Sequence, residues 1–214
     1  MFNYSSFANA NQCNRIVILL HGYGSNRNDL IRIAPELSHH IDNILFISPD
    51  APFVFENTCD IERKQWFSLL NRKPNIIREA LKKTGTLITK FIHDILKKNN
   101  LTENDLIILG FSQGATLGLF LLTHALIMPR ALISLSGRST LSSNSSKNIK
   151  TNILLVHGKQ DEVVPIDEMY QVKDNLRKQK INIETHILNH LKHTIDNSVI
   201  SVVNNFLVKQ FLSS

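Results

Sequence analysis

The chain alternates between short, unbroken apolar runs and longer amphipathic segments. Arg15-Ile16-Val17-Ile18-Leu19-Leu20 runs into His21-Gly22, and Ile44-Leu45-Phe46-Ile47-Ser48 into Pro49-Asp50. Asp105–Leu109 ends at Gly110, Ala131–Leu135 at Ser136-Gly137, Asn152–Val156 at His157-Gly158, and Ile181–Leu188 near Asn189. Runs that are apolar throughout, rather than at every second position, suit strands covered on both faces. Between them, Ile76, Ile77, Ala80, Leu81, Leu87, Ile88, Phe91, Ile92 and Ile95 recur at helical steps and form one stripe, closed by Asn99-Asn100. Met169, Val172 and Leu176 mark another helix, and Val199, Val202, Val203, Phe206 and Phe211 a C-terminal one. Strands alternating with helices predict an α/β architecture: a mostly parallel, doubly wound sheet with helices on both faces.

The 214 residues suffice for one sizeable core, so a single domain spanning 1–214 is expected. The serine-rich stretch Ser139–Ser146 reads as a surface loop, because strands flank it too closely for a linker. Asp105 to Arg130 encloses no Asp, Glu, Lys or Arg, which is long enough for a membrane span. Its glycines, Ser112, Gln113, Thr116, Thr123 and His124 argue instead for a buried strand, a sharp turn and a buried helix.

Composition narrows the partners. The chain is 43% hydrophobic and 20% charged, ordinary for a globular protein. Cys13 and Cys59 form no disulfide framework and no paired metal spacing, and fit a reduced, cytoplasmic protein. Met1–Ser6 has neither a basic nor an apolar leader region. The net charge of +6 is spread over Lys82-Lys83, Lys97-Lys98, Lys147, Lys150 and Arg177–Lys180 without a recognition motif, so nucleic acid is not an expected partner. Solvated helix faces account for that charge, which is also compatible with weak attraction to anionic lipid surfaces.

Candidate chemistry centres on Gly110-Phe111-Ser112-Gln113-Gly114, a G-x-S-x-G string directly after a predicted strand and before a predicted helix. That is the context of a nucleophile elbow. The turn is so tight that the positions flanking the serine must be small, and it lifts the hydroxyl above a helix N-terminus, where free N–H groups favour developing negative charge. The plain alternative is a glycine-rich turn with an incidental serine. The chain has only 8 glycines, and two stand at the required places.

A serine hydroxyl needs a base and an orienting acid, which in this fold follow in the order Ser, Asp or Glu, His. Asp161, after the Asn152–Val156 strand, is the candidate acid, with Glu162 its neighbour and rival. His190 and His193 follow the Ile181–Leu188 strand, and either could be the base; His186 lies inside the strand. Glycines in Leu20-His21-Gly22-Tyr23-Gly24-Ser25 let the backbone present an N–H to a carbonyl oxygen, and the N–H of Gln113, next to the serine, would be its partner. A phosphate loop is the other reading of these glycines, but the Walker lysine and the G-x-G-x-x-G spacing are missing. His21 reads as a structural histidine that holds the loop. No cluster with metal spacing is present, and neither a metal nor an organic cofactor is expected.

Taken together, Leu20-His21-Gly22-Tyr23-Gly24, Pro49-Asp50-Ala51-Pro52, Gln65-Trp66-Phe67, Gly110–Gly114, His157-Gly158 with Asp161 and Val164-Pro165, and His193-Thr194-Ile195 occur in one order. This series resembles the phospholipase/carboxylesterase family of small α/β hydrolases, which includes the acyl-protein thioesterases. The resemblance runs from about Arg15 to the C-terminus. It implies the α/β-hydrolase fold and a serine carboxylic-ester hydrolase. Ser112 would be the nucleophile, Asp161 the acid and His193 the base, with oxyanion N–H groups from Tyr23 and Gln113. Trp66 and Phe67 would line the mouth of the acyl site. Lys192 stands where the family often has Gly, Ser68 where it often has Asp, and Ala115 where a further Gly is common. The implied substrates are small acyl esters, thioesters or lysophospholipids. An acyltransferase or a non-catalytic binding protein on the same fold are the alternatives, and the chain could act as a monomer or a homodimer.

Overall fold

The apolar runs form the centre of one seven-stranded sheet, ordered β1-β3-β2-β6-β7-β8-β9. Its strands are β1 Tyr4–Ala8, β2 Arg15–Leu20, β3 Ile44–Pro49, β6 Leu106–Phe111, β7 Ala131–Leu135, β8 Asn152–Gly158 and β9 Ile183–Leu188. A small ladder of β4 Phe53–Val54 and β5 Lys64–Gln65 stands apart. The helices are α1 Arg27–Ile31, α2 Ala34–Leu37, α3 Pro74–Lys98, α4 Gln113–Thr123, α5 Asp167–Lys178 and α6 Asn197–Leu212. The computed structural model describes residues 2–56, 58–139 and 149–212. Residues 140–148, which hold most of the expected serine-rich loop, lie outside the described residues.

Neighbouring strands from β3 through β9 run parallel, while β1 pairs antiparallel with β3. The sequence pattern does not announce β1. Its residues alternate between exposed and half-buried at the sheet edge and contain no apolar run. The central parallel strands β2, β3, β6, β7 and β8 are buried on both faces, as their composition requires, while β9, at the sheet edge, is only half-buried. Along β2, Ile16, Ile18 and Leu20 pack with α3, α4 and α5 residues such as Leu81, Ile88, Leu117 and Val172. Val17 and Leu19 point the other way, toward Leu30, Leu37, Val199 and Phe206 of α1, α2 and α6. Each such fully buried aliphatic side chain contributes about 1.5–3 kcal/mol.

The uncharged stretch between Asp105 and Arg130 is β6, a turn and α4, with every residue of α4 buried. Among the described residues no helix is long and apolar enough to cross a membrane. The α3 stripe is narrower than its sequence pattern: Ile76 and Leu87 are exposed, and Thr84 and Gly85 join the buried face.

The chain leaves β2 for β3 on one side and later returns to place β6 on the other. The loops leaving the C-terminal ends of β2 and β6 therefore part at this point. In an open α/β sheet that is where a crevice forms.

Candidate active site

The loop leaving β6 forms the elbow. Ser112 has φ 53° and ψ −111°, a backbone conformation that costs a residue with a side chain about 1–3 kcal/mol. The surroundings impose it. Ser112 N–H donates to Leu135 O at 2.8 Å, and Ser112 O accepts from Thr116 N–H at 3.0 Å and the Thr116 hydroxyl at 3.1 Å. A Cβ at Gly114 would lie 2.0 Å from Leu20 O, and one at Gly110 would lie 2.5 Å from the Ala115 backbone. Both glycines are thus required by close backbone approach, which lets α4 start directly against β2 and β6.

The loop after β9 brings His193 to the serine. His193 Nε2 lies 3.0 Å from Ser112 Oγ, and its Nδ1 lies 2.7 Å from Asp161 Oδ2. The Asp161 side chain is fully buried. Its Oδ1 accepts the N–H groups of Val163 at 3.0 Å and Val164 at 2.8 Å. Burial alone would raise the Asp161 carboxyl, but hydrogen bonds from His193, Val164 and Ser136 hold it below its ordinary value. An ionised carboxylate only accepts. His193 Nδ1 therefore carries the proton, and Nε2 offers a lone pair to the serine hydroxyl. Glu162 and His190 are exposed and stand outside this chain of hydrogen bonds. His186 is paired with Glu184 at 2.8 Å.

Two features fix the histidine loop. A Cβ at Gly158 would lie 2.2 Å from Leu191 O, so the end of β8 and the loop touch backbone to backbone. Phe111 lies against the His193 ring, with centroids 4.8 Å apart. The sequence did not single out His157 as part of the site. It is 1% exposed and donates from Nε2 to Val164 O at 2.8 Å, with Asp161 Oδ2 3.6 Å away. Its position at a strand end, directly before Gly158, and the place of that pair in the series that carries the family resemblance were the signals.

The loop leaving β2 passes beside the elbow: a Cβ at Gly22 would lie 3.6 Å from Ser112 Cβ. His21, wholly buried, holds this loop. Its Nε2 accepts the Ala51 N–H at 3.0 Å, so Nδ1 is the protonated nitrogen, and it donates to Gly22 O at 2.8 Å. Burial lowers the His21 pKa and keeps the ring neutral. Asp50, next to Ala51, accepts the Arg27 N–H at 2.9 Å and pairs with the Arg27 guanidinium. The Pro49–Pro52 segment therefore braces the loop from below. The N–H groups of Tyr23 and Gln113 have no hydrogen-bond partner among the described residues.

Trp66 and Phe67 are not at an exposed mouth. They are 0% and 3% exposed, in the core. Trp66 Nε1 donates to His21 O at 2.8 Å, and its ring lies 5.3 Å from that of His21. The Gln113 amide clamps the pair: Oε1 accepts Trp66 N–H at 2.8 Å, and Nε2 donates to Phe67 O at 2.7 Å. Large rings bury more apolar area here than at an open rim, and the polar edges of the segment are satisfied by Gln113, His21 and Thr84.

Residues 7–211 match the family described as Phospholipase/Carboxylesterase. The chain is 26% identical over 201 residues to Acyl-protein thioesterase 1 homolog 1 of Dictyostelium discoideum, covering 90% of this chain and 89% of that protein. It is 22% identical over 210 residues to Acyl-protein thioesterase 1 of Neurospora crassa, covering 91% and 86%. Its structure superposes on the crystal structure of esterase PE8 with a TM-score of 0.89 at 25% identity, covering 98% of this chain and 99% of the other.

Proposed function

The chain belongs to the phospholipase/carboxylesterase family and is a serine ester hydrolase, and on that premise we propose that Ser112 is its nucleophile, His193 its base and Asp161 the orienting acid. The observation that carries this reading is the unbroken hydrogen-bonded chain from Ser112 Oγ through His193 to Asp161 Oδ2. As Ser112 Oγ attacks the acyl carbonyl carbon, its proton passes to His193 Nε2. Asp161 stabilises the imidazolium that results. The carbonyl oxygen becomes an oxyanion that accepts the N–H groups of Tyr23 and Gln113, each worth about 3 kcal/mol of barrier. The bond to the leaving alcohol or thiol breaks, and His193 returns the proton to it. Water then attacks the acyl-enzyme, giving its proton to His193, and Ser112 leaves with that proton as the free acid forms. Every step uses only these side chains, main-chain N–H groups and water.

The substrate is an acyl ester or thioester, including lysophospholipids, which share the reacting carbonyl and an apolar acyl chain. The thioesterase names of the two curated relatives support a thioester among these. Hydrolysis of a short-chain p-nitrophenyl ester and a matching thioester by Ser112→Ala, His193→Ala and His190→Ala tests the assignment. Ser112→Ala and His193→Ala are expected to lose roughly a thousandfold or more in kcat, and His190→Ala to keep wild-type activity. A folded wild type that neither turns over nor reacts with a fluorophosphonate would instead make this a binding protein on a hydrolase fold. Transfer of the acyl group to an added alcohol in preference to water would make it an acyltransferase.

A further inference from the structure

Tyr23 sits between two glycines, Gly22 and Gly24, the latter at φ 76°. Glycines on either side allow the main chain around Tyr23 many conformations, yet a useful oxyanion donor must hold its direction within about 10–20°; the planar peptide that carries the Tyr23 N–H is held at its oxygen, where Gly22 O accepts His21 Nδ1 at 2.8 Å and Ser25 N–H at 3.2 Å. The loop's main chain is tied to the β4–β5 segment: Gly24 N–H donates to Lys64 O at 2.8 Å, and Lys64 N–H to Ser25 O at 2.8 Å. Arg63 adds a bond from Nε to Gly24 O at 2.9 Å and stacks on Phe55 at 4.5 Å. None of these bonds engages Tyr23 itself. Its side chain is held elsewhere. The ring meets Phe55 edge-on with centroids 4.6 Å apart, and the phenol donates to Glu56 Oε1.

Glu56 is a gathering point. The same Oε1 accepts Leu69 N–H at 2.8 Å, Oε2 accepts from Gln65 Nε2 at 3.2 Å, and the Ser68 hydroxyl donates to the carboxylate as well. Its own N–H donates to Gln65 Oε1 at 3.1 Å. One carboxylate thereby joins Tyr23 to both ends of the Gln65–Leu69 segment, whose middle, Trp66-Phe67, is clamped by the Gln113 side chain. Burial and the neighbouring carboxylate push the Tyr23 phenol up to about 12, so it stays a donor. Burial would raise the Glu56 carboxyl, but these donors hold it below its ordinary value, so it stays an acceptor.

We propose that Glu56 is a positioning residue of the hydrolase, which completes the hold on the Tyr23 N–H by anchoring the Tyr23 phenol to the segment that also holds Gln113. This rests on the reading of Ser112 as nucleophile and of the Tyr23 N–H as oxyanion donor. Glu56 touches no reacting atom. Its effect belongs to the transition state, where the carbonyl oxygen carries charge, and not to substrate binding.

Tyr23→Phe isolates the link. It keeps the ring against Phe55 and the main-chain N–H, and removes only the hydroxyl. The experiment measures p-nitrophenyl ester hydrolysis and inhibition by a trifluoromethyl ketone, whose serine adduct carries an oxyanion. The proteins are wild type, Tyr23→Phe, Glu56→Gln, the double variant and Ser112→Ala, each checked by circular dichroism and thermal unfolding. Tyr23→Phe is expected to lower kcat about tenfold with KM within about twofold, and to weaken the ketone by the factor lost in kcat/KM. Glu56→Gln is expected to behave alike, and the double variant to be no slower than the slower single one. Wild-type kcat in Tyr23→Phe, a double variant as slow as the product of the two single effects, or unchanged ketone affinity would each overturn the proposal. Should Glu56→Gln fail to fold, Tyr23→Phe with the ketone decides alone. Ser112→Ala that still hydrolyses the ester would overturn the nucleophile and this inference together; an inactive Ser112→Ala beside a fully active Tyr23→Phe overturns this inference alone.

Discussion

In the proposed triad, Asp161 and His193 are distinguished at the residue scale by what each can donate or accept. Asp161 accepts from His193, Val163 and Val164 at once, so its two oxygens are occupied and the imidazole is left with one tautomer. Replacing the acid by its neutral amide removes that choice. An amide nitrogen facing His193 Nδ1 would force the other tautomer and put a proton where the serine needs a lone pair. Asp161→Asn is expected to keep the fold and lower kcat by about 10⁴-fold, with KM little changed. Rapid-mixing kinetics check it: the acylation burst should slow by the same factor. A variant with wild-type acylation would show that Asp161 holds the loop and nothing more. Glu162, one residue on, is exposed and offers no such contact.

Among elements, the end of β8 and the loop after β9 are seated on one another without side chains between them. Gly158 is the reason, since a Cβ there would lie 2.2 Å from Leu191 O and 2.9 Å from Lys192 O. Lys192 itself is exposed, so its side chain does not contest this contact. Gly158→Ala is expected to push the loop outward and draw His193 away from Ser112, lowering kcat about hundredfold and stability by about 1–3 kcal/mol. The elbow itself lies on β6 and α4 and should stay intact. Steady-state kinetics with thermal unfolding measure both effects, and an alanine variant with wild-type kcat would mean the loop shifts without carrying His193.

For the whole molecule, acid is the condition that opposes the fold. Burial lowers the pKa of His21 and of His124 from the ordinary 6.5. The unfolded chain therefore binds protons there that the folded one refuses, and stability falls as pH drops below 6.5. Asp161, Glu56, Glu184 and Asp196 also sit below their ordinary values of 3.8 and 4.5, through hydrogen bonds and ion pairs made in the fold. Their contribution is complete above those values and is lost as pH falls through the folded ones. Urea midpoints measured from pH 8 downward are expected to be level to about 6.5, to decline from there, and to fall more steeply below the carboxylate range. A midpoint unchanged between pH 7 and pH 5 would show that His21 and His124 take up protons without unfolding.

The sequence by itself determined the buried central strands, the helical run of α3, the glycine-flanked turn at Ser112 and the chain order Ser112, Asp161, His193. Each of these is a matter of periodicity, turn sterics or chain order, read directly along the chain. Only the tertiary structure brings His193 Nε2 to 3.0 Å from Ser112 Oγ and leaves His190 outside that contact, since just two loop residues separate the histidines and the serine lies 81 positions away. It also buried Trp66 and Phe67, placed His157 beside the acid, added β1 at the edge and joined Tyr23 to Glu56 across 33 positions. Those outcomes depend on how separate loops meet at one end of the sheet. Contacts of that kind leave no periodic trace in the chain, because what fixes each side chain is a partner that the fold alone brings within reach.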